Sequence, residues 1–491
     1  MKPVNVSQKT LNTMRIEYFI EQAAKRWPDK IAVLDPELSI TYSQLVNKIQ
    51  QLKSKLEQNG VCPTNTVGVR IKNGHALIIA TLAAVSASCV VLPIDTHLSA
   101  AETNEIIETS LMDFLLEESG AKSMFNPPGA ILDLEPGVLL NLVHINRSSK
   151  SCVTELVPDA AFMRFTSGTT GKKKGVILSH RSILERTQAA NRGLKLGPDD
   201  TVLWVLPMAY HFFVSVLLYL RYGATIIIPR NTMPETLIQT INDQKVTFMY
   251  ASPLHYRWIA SVPSEQSLPS LRHAVSTSIR LDQAIAVNFQ ERYKITLSQA
   301  YGIIEIGLPL INLQGCADWP GSVGKALSGF DIKILDESYR PLPANEIGQL
   351  AVRGPGMFEA YLDPFQLRDD VLVNNLFLTG DQAKIDSEGF VTIVGRLKSM
   401  INVAGQKVFP EQVQEVLNRH PSVSFSRVTG IPHPKLGEVV RAEVVLNKQV
   451  AVVQPMELIQ YCRRELSPFK VPQEIKIVKN IQKTGSGKVR Y

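Results

Sequence analysis

The sequence predicts an α/β protein. It reads as a large N-terminal domain of helix-covered parallel sheets with a small β-barrel part, followed by a small α+β C-terminal domain. Three observations predict it. Helical and strand patterns alternate through the first 320 residues or so, a rhythm that places helices over mostly parallel sheets. Beyond residue 320 glycine becomes dense and the apolar runs become short. Beyond residue 397 a compact segment carries two helical and two strand patterns of its own.

The elements follow in order. Thr41 and Ser43 open a helix over 43–59, in which Leu45, Ile49, Leu52 and Leu56 recur at helical spacing. A strand is expected over 67–71, a helix over 76–86 and a strand over 90–93. Residues 201–206 and 224–229 read as buried strands around a helix. The glycine-dense stretch 321–395 holds β-rich runs at 332–335 and 349–352, as in a small antiparallel sheet or barrel. The last segment holds helices over 410–419 and 455–465, strands near 425–429 and 441–446, and a Gly/Lys tail. The expected domains are 1–397 and 398–491, with no internal repeat and no low-complexity tract.

Composition narrows the function. The 491 residues are 45% hydrophobic and 20% charged, which is globular rather than disordered. Residues 76–94 and 202–220 lack Asp, Glu, Lys and Arg and are about long enough to span a bilayer. The first, however, is rich in Ala and Ser and ends like a strand, and the second is broken by Pro207 and His211. Both read as buried helix and strand. The N-terminus lacks the apolar core of a signal peptide. Cys62, Cys89, Cys152, Cys316 and Cys462 are odd in number and far apart, without metal-ligand spacing, so reduced thiols in the cytoplasm are expected. The net charge of +7 is unevenly placed. Residues 395–491 carry 16 Lys and Arg against 7 Asp and Glu, whereas the rest carry 36 against 38. The one tight basic run, Lys172-Lys173-Lys174, lies in a specific context and not in a nucleic-acid stripe.

That context is Phe165-Thr166-Ser167-Gly168-Thr169-Thr170-Gly171-Lys172-Lys173-Lys174-Gly175, between the apolar runs 160–165 and 176–178. Glycines free backbone N–H groups to surround an anion, while hydroxyls and ammonium groups add donors and positive charge. The mixture suits a polyphosphate. It is not a Walker A loop, because Lys173 stands where Ser or Thr is required.

The string resembles the signature loop of the adenylate-forming superfamily, which includes acyl-CoA synthetases, peptide-synthetase adenylation domains and firefly luciferase. Four further motifs resemble that family's, in its order: Tyr301-Gly302-Ile303-Ile304-Glu305, Thr379-Gly380-Asp381, Gly395-Arg396-Leu397-Lys398 and Lys483-Thr484-Gly485-Ser486-Gly487-Lys488. The resemblance implies activation of an acid by ATP to an acyl-AMP and pyrophosphate, followed by displacement of AMP by a thiol. It implies ATP and Mg²⁺ as cofactors, with CoA or phosphopantetheine as acceptor. Thr166, Ser167, Gly168, Thr169, Thr170, Gly171 and Lys172 would cradle the phosphates, and Glu305 would bind Mg²⁺. Tyr301 and Gly302 would flank the adenine, and Asp381 would take the ribose hydroxyls. Arg396 would contact ribose or phosphate, and Lys488 would bridge the carboxylate and the α-phosphate. Lys398 would be the hinge of a mobile C-terminal lid, and Gly405 would face the thiol tunnel in a second lid orientation.

Two departures stand out. Ile304 replaces the family's Thr or Ser, whose hydroxyl approaches the α-phosphate. Thr277-Ser278-Ile279-Arg280 replaces a Gly-Gly-Ala-Pro-like adenine wall. The segment 206–215 resembles the acyl-site motif, with His211 as gate and a pocket formed by Phe212, Phe213, Ser276, Ile303 and Ile304. Phe213 stands where amino-acid-activating relatives place an Asp for the substrate ammonium. An aryl or aliphatic acid is therefore expected over an α-amino acid. Three readings result: an acid–CoA ligase, an acid–AMP ligase that loads a carrier protein, and a nucleotide- or acyl-binding protein without turnover, the last motivated by Ile304.

Overall fold

A computed structural model describes residues 15–36, 38–120, 129–146, 151–165, 174–263, 266–313, 315, 319, 321–447 and 453–481. Residues 166–173, the expected phosphate loop, and Lys488 lie outside the described residues. Contacts divide the chain into two units. The first is Met1–Trp319, Ala326–Phe330 and Arg353–Val371; the second is Pro320–Lys325, Asp331–Val352 and Leu372–Tyr491.

The first unit holds two sheets. One runs, in order of pairing, Leu38–Thr41, Ile31–Asp35, Thr225–Ile227, Thr201–Trp204, Phe248–Ala251, His273–Ser276, Leu297–Ile303, Gly307–Asn312. Its six central strands are parallel and its two flanking strands antiparallel. Parallel strands must be covered on both faces. The helices Pro234–Asp243, Pro253–Ser261 and Gln283–Tyr293 bury Leu237, Tyr256 and Phe289 in a core shared with Leu203, Met249, Ala274 and Leu297. The other sheet runs Gln366–Leu367, Ala360–Tyr361, Gly175–Ser179, Ala160–Phe165, Val90–Pro93, Thr66–Arg70, Phe114–Glu118, Val138–His144, Ala130–Glu135.

Local chemistry places the helices. Thr41 caps Tyr42–Gln58 through a capping box with Gln44, and the helix buries Leu45, Ile49, Leu52 and Leu56. His75–Ser86 is buried on every side from Ala76 to Ser86, which is why its sequence looks membrane-like. At 12 residues it is about 18 Å long. No helix among the described residues is long and apolar enough to cross a membrane.

The second unit pairs Asp331–Leu335, Gly348–Arg353, Phe377–Ile385, Val391–Arg396 and Ser322–Ala326 in one run of strands, the expected small β-structure. A second sheet follows, Gln406–Val408, Ile401–Val403, Gly437–Leu446, Val423–His433, with Glu474–Ile477 added parallel to Gly437–Leu446. The helices Pro410–Arg419 and Pro455–Glu465 close its core on Val413, Leu417, Val428, Val444 and Leu458. Contacts thus group the strands between residues 331 and 352 and between 377 and 396 with the C-terminal segment, whereas the sequence boundary at 397/398 groups them with the N-terminal domain.

In the first unit a charge chain ties four elements together. His75 Nδ1 lies 3.0 Å from Asp35 Oδ2, His75 Nε2 contacts Glu135 Oε1, and Lys48 Nζ lies 2.8 Å from Glu135 Oε2. Burial opposes the imidazolium, but the Asp35 and Glu135 carboxylates outweigh it and raise the His75 pKa. A raised folded-state pKa contributes stability that is fully present below the unfolded value, about 6.5, and lost as pH rises through the folded value. The melting-temperature gap between wild type and His75→Gln is therefore expected to be widest near pH ~5.5 and to narrow by pH ~8.5. A gap independent of pH would refute the charged clamp.

Candidate active site

The motif Tyr301-Gly302-Ile303-Ile304-Glu305 closes a hairpin between Leu297–Ile303 and Gly307–Asn312. A Cβ on Gly302 would stand 2.3 Å from the Gly307 carbonyl, and Gly307 itself has φ +94°, so both positions exclude side chains. Tyr301 and Ile303 are half-buried. Ile304, whose side chain replaces the family's hydroxyl, is buried at 6% exposure, and its carbonyl accepts from Arg186 Nη1 at 3.0 Å. Glu305 is half-buried, and its carbonyl accepts from the Phe358 N–H at 2.8 Å.

Tyr361 sets the Glu305 carboxylate, donating from its hydroxyl to Oε1 at 3.2 Å. Burial first, and Glu305 second, raise the Tyr361 pKa, so the phenol stays a donor at neutral pH. Among the described residues Oε2 accepts no hydrogen bond. One carboxylate oxygen thus remains open, a donor set that fits Mg²⁺, which takes one or two carboxylates together with substrate phosphates. Among the described residues no cluster of three or more His, Cys, Asp or Glu side chains could hold a metal without such phosphates.

Two arginines, Arg186 buried and Arg164 half-buried, stand behind this hairpin. Arg186, 1% exposed, donates from Nε to the Gly356 carbonyl at 2.9 Å, from Nη2 to the same oxygen, and from Nη1 to Ile304. Arg164 donates from Nη1 to the Tyr210 carbonyl. Burial lowers their pKa values to about 9 and about 10, and both stay protonated at neutral pH. Lys174 Nζ lies 4.4 Å from the Tyr361 ring centroid. Arg164, Arg186 and Tyr361 were not singled out from the sequence. A lone arginine inside the apolar run Ala160–Phe165 was the available signal for Arg164; the other two become visible only through long-range contacts.

His211 ends the short helix Met208–His211 and precedes a π-helical turn, Phe212–Val216, a form found often at functional sites. Its ring lies 5.8 Å from Trp204 and 6.1 Å from Tyr250, both edge-on. Tyr250 donates to Thr277 Oγ1 at 3.0 Å. Phe212 and Phe213 turn inward, at 0% and 1% exposure, onto Phe162 at 6.2 and 4.5 Å. Ser276 ends its strand wholly buried, with Oγ lacking a hydrogen-bond partner among the described residues; Oε1 of its register neighbour Gln299 is in the same condition. Such orphaned acceptors at the carboxyl ends of parallel strands mark where open α/β sheets take ligands. Ser278 holds φ +74°, the conformation glycine would adopt there.

In the second unit Asp381 and Arg396 are register partners and form an ion pair at 2.8 Å, so these two expected ribose contacts meet. Asp381 is 3% exposed, beside Gly380 at φ +75°. Lys398 sits in the 3-10 turn Leu397–Ser399. Gly405, at φ +86°, follows Ala404 at φ +49° in the tight turn between Ile401–Val403 and Gln406–Val408, and its N–H donates to Asn402 Oδ1 at 2.9 Å.

Parallel strands ending in an open carboxylate, protonated arginines and an aromatic cluster define a nucleotide-using α/β enzyme. The chain belongs to the AMP-binding enzyme family: residues 20–362 match the AMP-binding enzyme model, and residues 412–488 match the model of its C-terminal domain. Feruloyl-CoA synthase of Amycolatopsis sp is 26% identical over 479 residues, 95% of each chain. The ATP-bound crystal structure of MatB from Rhodopseudomonas palustris shares the fold at TM-score 0.82, with 23% identity over 97% of both chains. The o-succinylbenzoate CoA synthetase of Bacillus subtilis, in complex with its acyl-adenylate intermediate, shares it at TM-score 0.84, with 22% identity over 96% of both chains. An ATP-dependent, AMP-forming acid–thiol ligase is the activity that this membership assigns.

Tyr361→Phe removes the donor that sets Glu305, at a cost of about 1.5–3 kcal/mol for a bond to a charged group. ATP–pyrophosphate exchange is expected to fall roughly 10- to 150-fold at subsaturating Mg²⁺ and to recover as Mg²⁺ rises. An equal loss at every Mg²⁺ concentration would argue against this role.

Proposed function

We propose that the protein activates an aryl or aliphatic carboxylic acid with ATP and passes the acyl group to CoA. The observation that carries this reading is the charge arrangement around Glu305: one open carboxylate oxygen in the field of the protonated Arg164 and Arg186, with Lys174 over the ring of the Tyr361 that holds the carboxylate. A carboxylate attacking a triphosphate brings two anions together, and oriented positive groups offset that repulsion in the transition state. When bound, Mg²⁺ would neutralise phosphate charge, with Glu305 as its protein ligand. Tyr361 keeps the Glu305 carboxylate oriented, and Arg186 fixes the backbone that presents it. The residues 166–172 would hold the phosphates, Tyr301 and Gly302 the adenine, and Asp381 with Arg396 the ribose. Lys488 would draw the substrate carboxylate to the α-phosphate.

For the acid, the aromatic enclosure of Trp204, His211 and Tyr250 supports an apolar substrate, with His211 as gate. Phe213, buried against Phe162, supplies no carboxylate for a substrate ammonium. The domains 1–397 and 398–491 would rearrange about Lys398 between the two half-reactions, with Gly405 beside the incoming thiol. Four described cysteines, Cys62, Cys89, Cys152 and Cys462, are free thiols, which fits a cytoplasmic location.

ATP–pyrophosphate exchange over a panel of aryl, aliphatic and amino acids tests the first half-reaction. Exchange with aryl or aliphatic acids is expected, and exchange with none would leave a binding protein without turnover. Thioester formation with CoA is expected in the second step; transfer only to a phosphopantetheinylated carrier would replace CoA as acceptor. Lys488→Ala is expected to lower exchange by at least ~10³-fold while sparing thioester formation from supplied acyl-AMP. Equal loss of both steps would overturn the role of Lys488.

A further inference from the structure

Arg164 carries a fork of donors of which one edge, Nε with Nη2, has no partner among the described residues. It stands on Ala160–Phe165, and its register partner across the antiparallel pair is Val176. Val176 pairs in turn with Tyr361, so Arg164, Val176 and Tyr361 form one row on one face of the sheet. Phe162, two residues before Arg164 and on the same face, packs against Phe213. Arg164 therefore faces two places at once: the acyl segment 208–216 and, along the row, the Tyr361 that holds Glu305.

Its bonding is incomplete. Nη1 donates to the Tyr210 carbonyl, and the guanidinium lies 5.7 Å from the Tyr210 ring centroid. Nε is shut off from solvent and has no hydrogen-bond partner among the described residues. Nη2 makes no hydrogen bond among them either, and no carboxylate of those residues comes within ion-pair distance. The nearby Glu305 acts on Arg164 only through its field, and its Oε1 is occupied by Tyr361. The contrast with Arg186 is instructive, since all three of that side chain's donor nitrogens end on carbonyls. The Nε–Nη2 edge of an arginine is the side that grips a planar oxyanion with two parallel bonds, and an Nε–H donor shut off from solvent without a partner is costly.

We propose that the Nε–Nη2 edge of Arg164 is an oxyanion-binding site of the adenylation step, gripping an oxygen pair where the acid and the α-phosphate meet. The assignment rests on the acid-activating reading. The two sources of the oxyanion, the acid's carboxylate and the nucleotide's phosphate, share this chemistry, and the test separates them. In either case Arg164 touches a reacting group, and its contact with Tyr210 only aims the fork.

The test compares the wild-type full chain with Arg164→Gln and Arg164→Lys. Gln retains an N–H for the Tyr210 carbonyl without the charge, and Lys retains the charge without the fork. Calorimetry reads the affinities for AMP and adenosine, whose ratio isolates the phosphate. Pyrophosphate exchange reads KM for the best acid of the panel. Arg164→Gln is expected either to cut the AMP-to-adenosine affinity ratio at least 10-fold, assigning the edge to phosphate, or to raise the acid KM at least 10-fold with that ratio unchanged, assigning it to carboxylate. Lys is expected to restore part of whichever loss occurs. An unchanged ratio together with an unchanged acid KM, while the melting temperature falls, would make Arg164 a structural prop and overturn the assignment. If no acid turns over, the AMP-to-adenosine ratio alone decides. A wild-type chain that binds neither AMP nor adenosine would instead refute the acid-activating reading itself, with no difference between variants to read.

Discussion

The hydrogen bonds of Arg186 hold the hairpin that carries Glu305 in place. A buried guanidinium must find acceptors or cost several kcal/mol. Here it finds the carbonyls of Ile304 and Gly356, in segments more than a hundred residues away along the chain. The helix His180–Leu194 supplies the arginine, and the space around it dictates two glycines. A Cβ on Gly356 would strike the Ser182 carbonyl at 2.4 Å, and one on Gly307 would press the Arg186 side chain at 3.2 Å. Glu185, next in the helix, accepts from the Gly356 N–H at 3.0 Å. The loop at 356 and the hairpin at 304 are thereby set against one helix, and Glu305 inherits that rigidity.

Electrostatics explains why so much positive charge is tolerated here. Arg164 and Arg186 repel each other; Glu305 offsets the charge of both, and Glu359 that of Arg186. Glu359 is already engaged, accepting from Ser179 Oγ at 2.6 Å and lying 3.6 Å from Arg368. The surplus is unfavourable in the empty enzyme and favourable once a polyanion arrives. That is preorganisation: the reorganisation is completed during folding and not at the moment of reaction. The fold therefore invests stability where charge will later gather.

Much of this was legible in the sequence, and the rest was not for definite reasons. The strand Val90–Pro93 and the helices Pro410–Arg419 and Pro455–Glu465 begin and end where the apolar periodicity and the flanking Pro, Ser and Gly residues put them, and the apolar run 160–165 is the strand Ala160–Phe165. The motif residues Tyr301 to Glu305, and Asp381 with Arg396, come together because each set lies on paired strands. Phe212 and Phe213, adjacent to His211 in sequence, instead turn into the core, because a π-helical turn changes the facing that ordinary helical spacing implies. Arg186, Tyr361 and Arg164 act through partners 118, 56 and 46 positions away, and no local pattern encodes a pairing at that distance.

The π-helical turn itself has an evolutionary corollary. Such a turn is an α-helical turn that has accepted one additional residue. Phe212–Val216 absorbs that residue locally, and the helix Leu217–Arg221 resumes beyond it, fully buried from Leu217 to Leu220. Gaining or losing a single codon in this stretch would rotate His211 by roughly a quarter-turn relative to the aromatic wall while leaving the downstream packing in phase. Substrate range can thus drift by insertion and deletion at one spot, without any change to the scaffold that performs the chemistry.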